Sequence, residues 1–463
     1  MSTASEIDRS DSISGAIADF AVAPVSGEAF ELARIRLLDA IGVALAARNT
    51  PQAQSAIAGA TSFMGEGLCG SLDGVVGRSP YGAAFINSTL IHALDFDDTY
   101  PAGAIHTHPT VIPAALAISD MKGASLPDLL EATAVGAEVA CWLGKAIGRD
   151  LQDRGFHTSA VLGSLAAVVA AARLLKLDRE KIVDAIGLVG TVGAGTWQFE
   201  ESWVKNWNVA VAAQSAIGAA IAASTGFKGP LQPIEGQYGL LATHLDAGRL
   251  ADTSTLGDPW LSADISMKRY GCCHFLQSVV SCTLEAASSF RASDIEAVTV
   301  KLPSELAMRC VALPIEARKA PENSYRARFA GHWLVARGLV DGDVNLRTFD
   351  EVSLDGPLVD ILDRINFQIS DFASYPANWP AEMEVTTKDG TRRTFHNDGR
   401  ASTFAKSNLH AVEDKFRQNI CYSGINVTTA EQIFDVLERP DATLADLWVA
   451  LKTDTPPSSK VEE

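Results

Sequence analysis

Apolar residues recur at three- and four-residue intervals through most of the first 260 positions of this chain, the spacing that lines one side of an α-helix. Phe30–Ala47 (FELARIRLLDAIGVALAA), Leu129–Ile147 and Thr158–Leu175 (TSAVLGSLAAVVAAARLL) carry the pattern most clearly. Their backbones are rich in alanine, a strong helix former whose small side chain lets helices approach closely. Several are apolar nearly all round, which marks central rather than surface helices. The texture changes after Leu261. Ile295–Leu302 (IEAVTVKL) alternates and is β-branched, so it predicts a strand. Met383–Phe395 (MEVTTKDGTRRTF) predicts a hairpin turning at Asp389-Gly390. Helices are expected between them over Arg326–Leu339 and around Leu358–Arg364, and helix returns from about Asn408 (AVEDKFRQNI, AEQIFDVLERP).

The expected fold is therefore mainly α. A large all-helical domain occupies 1–262, a smaller α+β lid domain 263–403, and C-terminal helices at 404–463 rejoin the first domain. Residues 1–12 and the tail Thr453–Glu463 read as polar, frayed ends.

Composition narrows the function. With 38 Lys and Arg against 56 Asp and Glu, the net charge is −18, which argues against nucleic acid and anionic membrane surfaces as partners. The charge is unevenly spread. Between Ser266 and Arg337 ten basic residues face six acids, so that window is net positive and an anionic small molecule stays compatible with the lid. The N-terminus lacks the basic and apolar regions of a secretory signal. Seven cysteines, an odd count with no C-x-x-C, suit a reduced cytoplasm. The uncharged stretch Asn206–Phe227 is mostly Ala, Gly and Ser, and reads as a buried helix rather than a membrane span.

The densest polar cluster is His92–Pro109 (HALDFDDTYPAGAIHTHP), where Asp95, Asp97 and Asp98 precede His106 and His108 by one Pro- and Gly-containing loop. Such a set can bind a metal, serve acid–base catalysis with an Asp orienting a His, or simply be a helix end with Asp caps. His157 stands in GFHTS before an apolar helix, where Thr or Ser is a natural cap and the helix end favours a neutral imidazole or an anion. Lys205 lies between Trp203 and Trp207 and either snorkels or faces an anion. Lys268 and Arg269 open Ser266–Phe275 (SMKRYGCCHF), which contains no acid and continues into Cys272, Cys273 and His274. Gly187–Gly195 (GLVGTVGAG) follows a helix, lacks a phosphate-loop lysine, and reads as close helix packing. No nucleotide cofactor is implied.

Taken in order, these segments resemble the MmgE/PrpD family. The matching pieces are LLDAIGVALA, HALDFDD…HP, GFHTSAVLGSLAAVVAAA, the Lys205 segment leading into AAQSAIGAAIAASTGF, KRYGCC, ARFAGHWLVARGLVDG and AVEDKF. The resemblance spans roughly residues 15–425. It implies a homodimer of two-domain chains with the active site at the domain interface, no cofactor and no metal. Catalytic positions map onto Asp95, His108, His157, Lys205 and Lys268. Substrate-binding positions map onto His106, Arg269, Cys273, His274, Tyr325, Arg326 and Trp333. Three departures stand out. The loop before His108 is longer than in decarboxylase-like members, so His106 competes for its role. Trp333 replaces a tyrosine of those members. Either Cys273 or His274 occupies a position where some members have histidine. The implied activity is a hydro-lyase acting on a di- or tricarboxylate, with a polycarboxylate epimerase as its same-family alternative. A reading from another class is a metal-dependent hydrolase using Asp97, His106 and His108.

Overall fold

The computed structural model describes residues 12–198, 202–245, 252–400, 403–404 and 409–452. Along the chain, α1 (Ile13–Val22), α2 (Gly27–Ala47) and α3 (Pro51–Phe63) precede a small ladder of β1 (Glu66–Gly70) and β2 (Val76–Arg78). Then come α4 (Pro80–His92), α5 (His108–Lys122), α6 (Leu126–Leu143), a π-helical turn at Gly144–Gly148, α7 (Arg149–Asp153), α8 (Thr158–Leu174), α9 (Arg179–Gly190), α10 (Val204–Ser224) and α11 (Leu240–His244). Next are β3 (Met267–Lys268), α12 (His274–Ser289), β4 (Ile295–Leu302), α13 (Glu305–Val311), α14 (Ile315–Lys319), α15 (Ser324–Ala327), α16 (Gly331–Asp341) and α17 (Pro357–Leu362). The chain continues through β5 (Ile365–Ile369), β6 (Ala381–Thr387), β7 (Arg392–Asn397) and β8 (Thr403–Phe404), and closes with α18 (Leu409–Ser423), α19 (Val427–Glu438) and α20 (Leu444–Lys452). Helix accounts for 61% of the structure, which makes the fold mainly α.

Contacts divide the chain into two compact units. The first holds residues 1–93, 103–265 and 412–463; the second holds 94–102 and 266–411. The short piece 94–102 is thus grouped with residues that follow it by some 170 positions.

In the first unit α8 is buried along almost its whole length, packed by α5, α6, α9 and α10. Its core face is Ala, Val, Leu and Gly, and these small side chains permit the close approach. α10 is the one described helix long and apolar enough to cross a membrane. Here its Val209, Ala213, Ala216, Ile217 and Ala220 are buried against α4, α5, α8 and α9. Gly187 and Gly190 lie against the loop at 229–233, where an added Cβ would meet Pro230 O at 2.4 Å and Pro233 Cβ at 2.6 Å. Close packing explains these glycines, against a loop rather than a helix.

The second unit carries a four-stranded sheet of order β5-β4-β6-β7, in which β4 pairs parallel to β5 and antiparallel to β6. The hairpin is where the alternation placed it, with Met383 opposite Phe395. α12 covers one face of the sheet and packs on α16.

Several local expectations are corrected. Ser12 is ordered, its hydroxyl capping α1 by accepting the Gly15 N–H at 2.9 Å; the rest of the expected frayed ends lies outside the described residues. The β1–β2 ladder interrupts the helical stretch. The helix expected over Arg326–Leu339 breaks at residues 328–330, because Arg328 O accepts the N–H of Cys273 (2.9 Å) while Phe329 and Ala330 form tighter i→i−3 bonds.

Two predictions follow from buried ionisable groups. Lys415 of α18 pairs with Asp39 of α2 at 2.7 Å, both buried. Lys415→Met should lower the unfolding free energy by about 3–5 kcal/mol, since it takes the lysine's charge away from a buried carboxylate, and Asp39→Leu in the same chain should restore most of it. Urea unfolding of the two variants measures this. In the second unit, burial first, then the charges of Lys319 and Arg318, depress His332 from 6.5 to about 4. The neutral ring is therefore favoured by folding, and its contribution is fully present above pH 6.5 and lost as pH falls towards 4. His332→Leu should flatten the decline of stability across that window in pH-dependent denaturation.

Candidate functional site

The candidate residues fall into two clusters, one in each unit. In the second unit Asp95 lies in the loop after α4 with φ of +48°, a left-handed conformation that costs a non-glycine residue roughly 1–2 kcal/mol. Lys268 of β3 holds it there. Its ammonium donates to the Asp95 carbonyl at 2.7 Å and to Asp95 Oδ2 at 2.8 Å. Both side chains are buried. Burial is the largest influence on the lysine and opposes its charge. Asp95, then Asp97 and the Cys273 thiol, together with the hydrogen bond to Asp95, outweigh it and hold the ammonium above its ordinary value. The third N–H of Lys268 has no protein partner among the described residues. The same segment is stitched to the start of β3 by Thr99 and Ser266, which exchange backbone bonds of 2.9 and 2.8 Å. The sequence reading gave Asp95 a histidine to orient; a lysine is among its actual partners.

Tyr325, at the start of α15, is buried beside this pair. Burial, then the charges of Asp95 and Asp97, push its hydroxyl well above 10, so it stays protonated. Cys273 caps α12. Cys272 beside it is driven strongly upward by burial and is an inert thiol. The loop joining β3 to α12 is held by Gln277. Its carbonyl accepts the N–H groups of Arg269 and Tyr270 (2.9 and 3.0 Å), and its amide donates to Tyr270 O and Cys272 O. Arg328, which the sequence reading counted only as a charge, is buried in the same region. It donates to Gly271 O at 2.5 Å and lies 4.4 Å over the Phe349 ring. A lone Arg inside the apolar run ARFAGHWLVA was the signal available for it.

Other nominated residues in this unit sit differently. Arg269 is exposed. Arg326 pairs with Glu322 at 3.5 Å on the surface. His274 packs edge-on against Trp379 with ring centroids 4.6 Å apart. Trp333 is wholly buried, near Phe349, with its indole N–H directed to Ser353 O at 3.3 Å.

In the first unit the structure brings three imidazoles together. His92, the last residue of α4, has the His106 ring edge-on at 4.8 Å and the His157 ring nearly parallel at 6.1 Å. His92 was not nominated, although it opens HALDFDD. His157 itself is the cap residue of α8, its N–H bonded to Gly195 O at 2.9 Å. The Thr158 hydroxyl, expected as a cap, instead donates to Ala104 O at 2.5 Å, and Ser159 Oγ accepts the N–H of His106 at 2.9 Å. The start of α8 therefore positions the histidine loop. That loop sits close to the π-helical turn, where an added Cβ on Gly148 would meet Gly103 O at 2.1 Å. His108 is buried as the first residue of α5, and Lys205 is buried in the first turn of α10.

Lys268→Met should release Asp95 from its left-handed conformation. The amides of Thr99 and Ser266 are expected to exchange with deuterium at least about tenfold faster, with exchange in α8 unchanged. Unaltered protection at Thr99 would mean that the lysine does not hold the segment.

Comparison with known proteins agrees with this arrangement of the chain. The MmgE/PrpD N-terminal domain matches residues 11–251 and the MmgE/PrpD C-terminal domain matches residues 270–439. A cis-aconitate decarboxylase-like protein, oryM, of Aspergillus oryzae is 28% identical over 270 residues, covering 54% of this chain and 56% of that protein. The chain thus spans little more than half the length of that relative. Cis-aconitate decarboxylase of Aspergillus terreus is 26% identical, with 71% of each chain covered. The Homo sapiens cis-aconitate decarboxylase is 28% identical, covering 73% of this chain and 72% of its own. With family models matching both of its parts, this chain belongs to the MmgE/PrpD family.

Proposed function

We propose that this protein is a hydro-lyase that removes water from a di- or tricarboxylate, using its own side chains for the chemistry. The hard step is taking a proton from carbon next to a carboxylate. A base removes that proton and the electron pair moves into the carboxylate as a dianionic enediolate. Collapse of the enediolate forms the C=C bond and expels the β-hydroxide, which leaves as water after accepting a proton from a general acid.

The observation that carries this reading is the buried Lys268 ammonium, held charged, with two N–H groups on Asp95 and the third without a protein partner among the described residues. A fixed cation of this kind stabilises growing negative charge by roughly 3 kcal/mol, as oxyanion-hole donors do. Lys205 is assigned the same task on the resemblance. His157 with His108 or His106 would move the protons, since an imidazole can accept a proton at one nitrogen and donate from the other. The basic stretch from Ser266 to Arg337 favours a polyanionic substrate. The likeness to cis-aconitate decarboxylases favours a tricarboxylate and gives a second reading, loss of carbon dioxide instead of water. Reprotonation of the enediolate on its other face would give an epimerase.

Incubation with a panel of polycarboxylates in deuterated water, followed by NMR, separates these outcomes. A new vinyl proton with carbon count unchanged is the expected result. Carbon dioxide release would make it a decarboxylase, and exchange at the α-carbon without net loss an epimerase. Absence of exchange for every compound would sink the proton-abstraction reading. His157→Gln and Lys205→Met should each slow exchange by about 10²–10³-fold. Turnover should survive a chelator; loss of activity that zinc restores would favour the metal-dependent hydrolase.

A further inference from the structure

Lys268 ends a strand of two residues, β3, which pairs with the equally short β8. A ladder that short fixes direction poorly, so the course of the chain after Lys268 is set by whatever binds the next backbone groups. Gln277, wholly buried in α12, binds them. Its Oε1 accepts the N–H groups of Arg269 and Tyr270 at 2.9 and 3.0 Å, and its Nε2 donates to Tyr270 O at 2.9 Å and to Cys272 O at 3.2 Å. Arg328 takes the remainder: its guanidinium donates to Gly271 O and its carbonyl accepts the Cys273 N–H. Each of the five residues from Arg269 to Cys273 is thus anchored to Gln277 or to Arg328. The two residues that follow Lys268 directly are held by Gln277.

We propose that Gln277 is a positioning residue for the reaction: by fixing the backbone directly after Lys268, it sets the ammonium on Asp95 and aims the remaining N–H at the charge that grows on the substrate. This rests on the proton-abstraction reading of the function. The chemistry of the side chain suits the task. A carboxamide offers two lone pairs and two donors, and Gln277 spends all four on backbone. None is left for a substrate, so Gln277 acts through Lys268. Methionine, of similar length, would leave those buried backbone groups unpaired, and glutamate would turn an oxygen towards the carbonyls of Tyr270 and Cys272. Placement matters because the ammonium ends a long flexible side chain and meets Asp95 O and Oδ2 at once, at 2.7 and 2.8 Å. A misplacement of about 1 Å in a catalytic group can cost about 10²-fold in rate.

Two measurements on Gln277→Met and Gln277→Glu test this, the first without substrate. Deuterium exchange of the Thr99 and Ser266 amides reports how firmly Lys268 holds the Asp95 segment. Each variant is expected to speed it at least about fivefold. In a Lys268→Met chain, where that hold is already gone, adding Gln277→Met should change exchange by less than about twofold, because residues that act through one contact are not additive. The second measurement is turnover. The kcat should fall about 10–100-fold with KM within about threefold, the pattern of a contact made in the transition state alone. Far-ultraviolet circular dichroism identifies a variant that unfolds, and the other then decides. Unchanged exchange at Thr99, effects of Gln277 and Lys268 that simply multiply, an unchanged kcat, or unfolding of both variants each overturns the assignment. A wild type that turns over no polycarboxylate fails the reading of the reaction instead, and exchange at Thr99 then still decides whether Gln277 places the lysine.

Discussion

A lysine ammonium cut off from water is tolerable only against a carboxylate, and Lys268 and Asp95 supply each other. The pairing does more than neutralise. One N–H of the lysine reaches the Asp95 carbonyl and another its side chain, so one residue is gripped at two points and kept at a φ that non-glycine residues avoid. The grip explains why nine residues between two helices of the first unit are grouped with the second. Asp97 and Asp98 are buried in the same segment, and Tyr325 and Cys273 lie within reach of its charge. Releasing the lysine would remove a partner of the Asp95 carboxylate and a restraint on its backbone together.

Around that clamp the second unit is built for order. Gln277 ties four backbone groups of the loop from Arg269 to Cys272. Arg328 ties the same loop twice, through its guanidinium to Gly271 and through its carbonyl to Cys273. Buried polar groups of this kind are costly unless fully partnered, and once partnered they specify one geometry. The first unit achieves rigidity differently, by packing Ala-rich helices so closely that Gly136 and Gly163 have no room for a side chain. Two of its three imidazoles sit where such helices begin and end, His92 at the close of α4 and His157 at the head of α8.

Much of this was legible in the chain. Strand β4 spans the alternating run Ile295–Leu302, and the hairpin turns at Asp389-Gly390, because periodicity and turn chemistry are local properties. The candidate site residues were legible as types: acids before histidines, and lysines in apolar settings. Their partners were not. Nothing in sequence spacing told that Asp95 meets Lys268 across 173 positions, or that His92 stands between His106 and His157. Nor did spacing tell that Trp333 stands beside Phe349 and His274 against Trp379.

By itself, the sequence determined the helical character of the chain, the change of texture after Leu261, the uneven charge and the membership of the MmgE/PrpD family, since each depends on residue order alone. Tertiary structure decided that Lys268 pairs with Asp95, where the helix before Trp333 breaks, that residues 94–102 belong with distant strands, and that Trp207 of an apolar helix is exposed. The physical reason is common to all four. Pairing of a buried charge and burial of a helix face are settled by what lies opposite in space, and a linear chain does not state its own neighbours.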